Sequence, residues 1–127
     1  NNNVSVDLDF EAPTVSEYLK PRREGGLSAF SEEAATTGLE GSFAAVTLRS
    51  EGEAIGMGRI VGDGGCFLQI VDIAVDPRHR GKGLGKTIMT ALMDHAKKTL
   101  PEPIKVDPVL FTVRGALVGV ILELHKN

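Results

Sequence analysis

The 127-residue chain has no tryptophan, one tyrosine and one cysteine, and neither sign of charge dominates it. Each shortage removes a class of protein. A lone cysteine, Cys66, forms no internal disulfide and supplies no cysteine-based cluster, so no metal is expected. Nothing close in sequence offers a histidine to activate it, and Cys66 reads as a strand-edge thiol and not a nucleophile. The longest apolar run near the end, residues 116–122, is far short of the roughly 20 residues of a membrane span, so no membrane role is expected. The N-terminus lacks the basic-then-apolar pattern of a secretion signal, which points to a cytoplasmic protein. It also lacks an initiator Met, as a fragment or processed chain would.

What is present describes a folded domain. Hydrophobic residues make up 42% and charged residues 24% of the sequence, and the length suits a single domain over 1–127. The most informative stretch is 71–92, where a hydrophobic strand runs into a glycine-rich basic turn that opens an amphipathic helix. Gly81, Gly83 and Gly85 let consecutive backbone N–H groups face one concavity, and the following helix adds its positive N-terminal end. Arg78, Arg80, Lys82 and Lys86 concentrate positive charge there in a chain whose net charge is −3. That contrast fits a discrete phosphate-bearing ligand and no nucleic acid.

Spacing decides between phosphate motifs. A Walker A loop needs four residues between its first glycine and Gly-Lys-Thr, whereas Gly81 is followed by three before Gly85-Lys86-Thr87. A nucleotide hydrolase is thereby disfavoured. The dinucleotide pattern Gly-x-Gly-x-x-Gly lacks its third glycine, since Lys86 or Ile88 stands there. Arg/Gln-x-x-Gly-x-Gly does fit, as Arg80-Gly81-Lys82-Gly83-Leu84-Gly85 and in overlapping register from Arg78. With the strand ending in Val75-Asp76-Pro77 just before it, this segment resembles the acyl-CoA motif of the GNAT superfamily of N-acetyltransferases. The resemblance implies a site for acetyl-CoA as co-substrate. The main chain of Ile73, Ala74 and Val75 would hold the pantetheine arm, and Arg80, Gly81, Lys82, Gly83, Leu84, Gly85 and Lys86 the pyrophosphate.

Periodicity gives the rest of the architecture. Val4, Val6 and Leu8 alternate as a first strand. Thr14 and Glu17 form a capping box for a helix over 14–24, ended by Gly25-Gly26, and Ser31 opens a second over about 31–37, stopped by Gly38. Strands over 42–49, 53–61 and 66–75 form an antiparallel meander, followed by a helix over 83–99 that Pro101 and Pro103 end. This order predicts an α+β fold, GNAT-like, with a mostly antiparallel sheet flanked by helices. After 103 the resemblance stops, and the superfamily's fourth helix with its tyrosine is missing. Residues 109–113 read as a fifth strand and 116–124 as one more. Their apolar character predicts a homodimer through the C-terminal strands.

The expected reaction is acetyl transfer from acetyl-CoA to a small-molecule amine by direct attack in a ternary complex. The alternative is an acyl-CoA-binding protein with little turnover, because the C-terminal acceptor wall and general acid are absent. For the catalytic base the candidates are Asp72 on the fourth strand and Asp63 in the preceding turn. Structural roles compete: Asp72 pairing with Arg59, and Asp63 capping its own loop. Tyr18 reads as a core or groove aromatic, His79 as solvent-facing and His95 as packed on the third helix. In the superfamily the acceptor enters beside the loop that is here 25–30.

Overall fold

The computed structural model describes residues 5–24, 30–99, 104–113 and 116–126. Val4, the 25–29 segment, the prolines at 101 and 103 and residues 114–115 lie outside the described residues. The elements in order are β1 (Asp7–Asp9), α1 (Val15–Glu24), α2 (Glu32–Glu40), β2 (Ala44–Ser50), β3 (Glu53–Gly62), β4 (Phe67–Val75), α3 (Leu84–Thr99), β5 (Ile104–Val113) and β6 (Ala116–Lys126), with a 3₁₀ turn at Pro77–His79. One sheet runs in the order β1-β2-β3-β4-β6-β5, every neighbouring pair antiparallel. This is the expected α+β, GNAT-like arrangement.

Local chemistry sets the element ends. The Thr14 amide donates to Glu17 Oε1 (2.9 Å) and the Glu17 amide to Thr14 Oγ1 (3.1 Å), a reciprocal cap that starts α1. Ser31 Oγ accepts from the Ala34 amide at 3.0 Å and starts α2. The expectation that Gly38 ends α2 is corrected. The helix runs on to Glu40, and the carbonyl of Gly38 accepts from Arg59 Nη1 at 2.8 Å. The β2–β3 loop is Glu51-Gly52, both at positive φ, which matches the twist of the flanking strands.

Two cores sandwich the sheet. On one face Val46, Leu48, Ile60, Leu68 and Ile70 pack with Ile88, Leu92 and Ala96 of α3. On the other, Tyr18 and Leu19 of α1, Ala35 of α2 and Met57 of β3 form a smaller cluster. Met89 and Met93 pack at the margin of the larger core, and His95 stacks on Phe10 with ring centroids 5.0 Å apart. Gly58 of β3 lets α3 lie close: a Cβ there would meet Ile88 Cγ2 at 2.5 Å and Leu92 Cδ1 at 3.1 Å.

Halfway along β4 the regular pairing breaks. Met57 pairs with Ala74 but Arg59 pairs with Val71, so one extra residue sits on β4 opposite Gly58. Asp72, at φ +61°, is in that bulge. The insertion reverses which face each later side chain takes. Leu68 and Ile70 belong to the α3 core before the bulge, and Ile73 and Val75 pack against the same core after it, while Ala74 turns to the α1–α2 cluster.

The tail forms a hairpin. β5 is longer than the expected 109–113, and β6 pairs with β4 only from Phe67 to Ile70. Pro108 lies in β5, which carries the sheet's edge and so has no ladder bond to lose on its outer side.

Gly58→Ala is expected to destabilise the protein by about 1–3 kcal/mol, because the β-branched Ile88 cannot swing clear of the added methyl. Denaturant unfolding checks it, and an unchanged midpoint would contradict the close approach of α3.

Glu17 gives a pH-dependent prediction. Both its oxygens accept from Arg49 (2.7 and 3.1 Å), and hydrogen bonding to that guanidinium lowers its pKa from 4.5 to about 2 despite partial burial. A depressed folded-state pKa adds stability that is fully present above the unfolded value and lost as pH falls through the folded one. Glu17→Gln should therefore cost about 1 kcal/mol at neutral pH, discounted for solvent screening. The gap between variant and parent should close between pH 4.5 and about 2. A gap that persists at pH 2 would contradict this assignment.

Candidate active site

The open edge of β4 is where the site begins. Since β6 stops pairing at Ile70, the edge of β4 from Val71 to Val75 faces no strand among the described residues. Main-chain N–H and C=O groups on that edge can bond an extended ligand arm, the Val75 carbonyl having only a long 3.4 Å contact from Arg80 Nε. Beside it lies a cavity of about 410 Å³. β4 lines it with Ile73, Ala74 and Val75, β3 with residues 53–57, and the α1 region with Pro13, Glu17, Lys20 and Pro21. Asp76, Pro77 and Arg80 close the end nearest the glycine turn. Three of the expected ligand residues on β4, and Arg80 after it, thus share one cavity.

The turn itself is open. Gly81 and Gly83 adopt φ of +80° and +76°, a conformation costly for residues with a Cβ. Nothing lies within 4 Å of a Cβ built on Gly81, Gly83 or Gly85, so a ligand can reach the backbone there. Among the described residues the amides of Gly81, Lys82, Gly83, Leu84, Gly85 and Lys86 have no protein acceptor. The first bond of α3 is Thr87 N–H to Gly83 C=O at 3.1 Å. A row of unpaired donors at a helix N-terminus suits a pyrophosphate. The side chain of Leu84 packs on the α3 core, so Leu84 offers its amide alone.

The basic residues divide by role. Arg78 Nη2 binds Glu53 (2.9 Å) and Asp76 (3.0 Å), while the Arg78 amide caps onto Asp76 Oδ1 at 2.9 Å. Bonding to the Arg78 side chain holds the Asp76 carboxyl at about 2. Arg78 therefore anchors the turn. Arg80, Lys82 and Lys86 are exposed and have no ion pair among the described residues. His79 is half-buried, not solvent-facing, and its Nδ1 has no hydrogen-bond partner among the described residues.

Neither expected base faces the cavity. Asp72 Oδ2 accepts from Tyr18 Oη (2.8 Å) and Arg59 Nε (2.7 Å), and its Oδ1 accepts from Arg22 Nη1. Only 9% of its side-chain surface is exposed. With its two oxygens engaged by two cations and a phenol, the Asp72 carboxylate is a fixture for the bulge. Asp63 Oδ1 accepts from the amides of Gly65 (2.8 Å), Cys66 (2.9 Å) and Phe67 (3.1 Å), which lower its pKa. It caps its own loop. Tyr18 is buried, and burial together with its bond to Asp72 raises its pKa. Glu17, Lys20 and Glu53 line the cavity without having been foreseen, because only the fold brings α1 and the start of β3 to the end of β4.

The acetyltransferase (GNAT) family profile matches residues 9–103. No curated protein matches the sequence. Among solved structures, a protein of unknown function from meticillin-resistant Staphylococcus aureus, described as a probable acetyltransferase, is 39% identical with a TM-score of 0.71 over 77% of this chain and 74% of that one. Diaminobutyrate acetyltransferase from Paenibacillus lautus, in complex with its substrate and coenzyme A, is 15% identical (TM-score 0.59, covering 96% and 95%). N-acetylglutamate synthase from Neisseria gonorrhoeae, complexed with coenzyme A and N-acetyl-glutamate, is 13% identical (TM-score 0.63, covering 98% and 36%). The two distant enzymes share the fold.

Asp72→Ala leaves two guanidinium groups facing each other without their carboxylate and puts a Cβ-bearing residue with no local polar bond at positive φ. A loss of about 3 kcal/mol or more in urea unfolding is expected. Asp72→Asn, which tolerates that backbone better, should lose less. Equal, small losses would show that the bulge does not depend on the carboxylate.

Proposed function

Because the chain belongs to the GNAT acetyltransferase family, we propose that it transfers an acetyl group from acetyl-CoA to the amine of a small molecule by direct attack in a ternary complex. The observation that carries this reading is the continuity of three features: the open edge of β4, the cavity beside it and the unpaired amides of the glycine turn. Their order along the chain matches the order of an acyl group, an extended arm and a pyrophosphate. Open space at the three glycines fits the last of these.

When bound, acetyl-CoA supplies a thioester carbonyl with a thiolate leaving group. The protein's part is positional and electrostatic. Amides from Gly81 to Lys86, with Arg80, take the phosphate charge. Main-chain groups at Ile73 and Val75, turned by the bulge, hold the arm along β4 and place an N–H against the carbonyl oxygen, where negative charge develops; such a donor contributes on the order of 3 kcal/mol. Apolar lining from Ile55, Met57 and Ile73 limits water at that point. The amine sheds its proton to water, since Glu17, Glu53 and Asp76 are each occupied by an arginine.

A second reading, an acyl-CoA binder with little turnover, draws on Tyr18. The chain's one tyrosine is buried against Asp72 and does not line the cavity, so no phenol stands ready to protonate a thiolate. Thiol release from acetyl-CoA across a panel of amines, measured beside CoA affinity, separates the two readings.

Arg80→Ala should weaken CoA binding about tenfold or more with the fold unchanged. Gly83→Val should abolish the rise in melting temperature that CoA confers, since valine resists the φ of +76° and fills the open cradle. Parent-like stabilisation by CoA in Gly83→Val would defeat the pyrophosphate assignment.

A further inference from the structure

The charges around the cavity are unevenly satisfied. Its lining includes three carboxylates, Glu17, Glu53 and Asp76, and two cations, Lys20 and Arg80. Every carboxylate already has a cation that lies outside the lining: Arg49 for Glu17, and Arg78 for both Glu53 and Asp76. Lys20, exposed on α1, has no ion pair or hydrogen bond among the described residues. Arg80 belongs to the phosphate turn and spends only a long 3.4 Å contact on the Val75 carbonyl. An acceptor entering from the α1 side therefore meets an apolar wall and, in Lys20, a positive charge that no described residue compensates. The net charge of −3 favours a cationic amine on composition alone, but each of those carboxylates already holds an arginine, Arg78 being shared by Glu53 and Asp76, whereas Lys20 holds no carboxylate among the described residues.

We propose that the acceptor is a zwitterion carrying a carboxylate beside its amine, an amino-acid-like molecule, and that Lys20 recognises the carboxylate. This rests on the acetyl-transfer reading. The lysine ammonium pairs with the acceptor's carboxylate, the apolar wall of Pro21, Ile55 and Met57 receives its side chain, and the amine is directed toward β4. A polyamine, with a second cation in place of the carboxylate, meets repulsion at Lys20.

The test is a binding measurement on the CoA-saturated protein, which needs no turnover. Leucine and isoamylamine, phenylalanine and phenethylamine, and lysine and cadaverine differ within each pair only by the carboxylate. Calorimetry should show at least one amino acid binding about tenfold more tightly than its decarboxylated partner, a preference that weakens with added salt. Lys20→Met should erase the preference, Lys20→Arg should restore it, and neither should change the melting temperature or the affinity for CoA. Three results overturn the proposal: no amino acid preferred, a preference that survives in Lys20→Met, or a Lys20→Met variant that loses CoA affinity instead. Selective, Lys20-dependent binding without any acetylation would sink the acetyl-transfer reading and leave Lys20 as the carboxylate-binding residue of a zwitterion site.

Discussion

The carboxylate of Asp72 is the point on which the site depends. It joins Tyr18 and Arg22 of α1 to Arg59 of β3, and Arg59 continues to the Gly38 carbonyl at the end of α2 and to Ser42 Oγ. Three elements, α1, β3 and through Arg59 also α2, thus converge on a residue that sits at positive φ in the middle of a fourth, β4. Arg22 also lies over the Phe30 ring, 4.2 Å from its centroid, which carries the cluster across to the start of α2. Such a buried ion cluster adds little net stability over an apolar equivalent. Its effect is to fix one geometry, because each oxygen of the carboxylate has donors in set directions.

That geometry is what opens the strand. Past the bulge, β4 keeps Ile73 and Val75 on the α3 core while its other edge diverges from β6. A straight β4 would have carried Asp72 toward the α3 face, into contact with Ile88 and Leu92, where no counter-charge is found among the described residues. Burying a carboxylate there is prohibitive. Hydrophobic packing on one face and ion pairing on the other therefore reinforce the same kink. Gly58, opposite it, gives α3 the room to stay close.

Charge is allotted with similar economy in the turn. Pairing with Asp76 and Glu53 commits Arg78 to shaping the 3₁₀ turn, while among the described residues the amides of Gly81 to Lys86 have no protein acceptor and Arg80 has no ion pair. The positive cluster in the sequence is thus two populations, one structural and one available to a ligand. Similarly, Arg49 satisfies Glu17 and Arg78 is shared by Glu53 and Asp76, so each acidic residue of the cavity already has a cationic partner.

Much of this was legible in the sequence, and for local reasons. Caps at Thr14 and Ser31, strand alternation, the stripe of Leu84, Ile88, Leu92 and Ala96, and the glycine spacing all act over a few residues, where composition alone settles the backbone. The glycine motif is equally local, and Ile73 to Val75 and Arg80 are found lining one cavity. Missed were the features that join distant segments. The periodicity of 66–75 gives no sign of a bulge, although Asp72, the lone acid between Val71 and Ile73, was its trace. Asp72 reads as a possible base or as a partner of Arg59, and only the fold brings Arg22, 50 residues away, onto its other oxygen. Lys20 and Glu17 reach the cavity because α1 packs over β3 and β4, and Arg49 arrives from a different strand to neutralise one of them. Which residue types can bind phosphate is fixed by covalent chemistry and short spacing; which charges remain free to bind is fixed by neighbours that only the folded chain supplies.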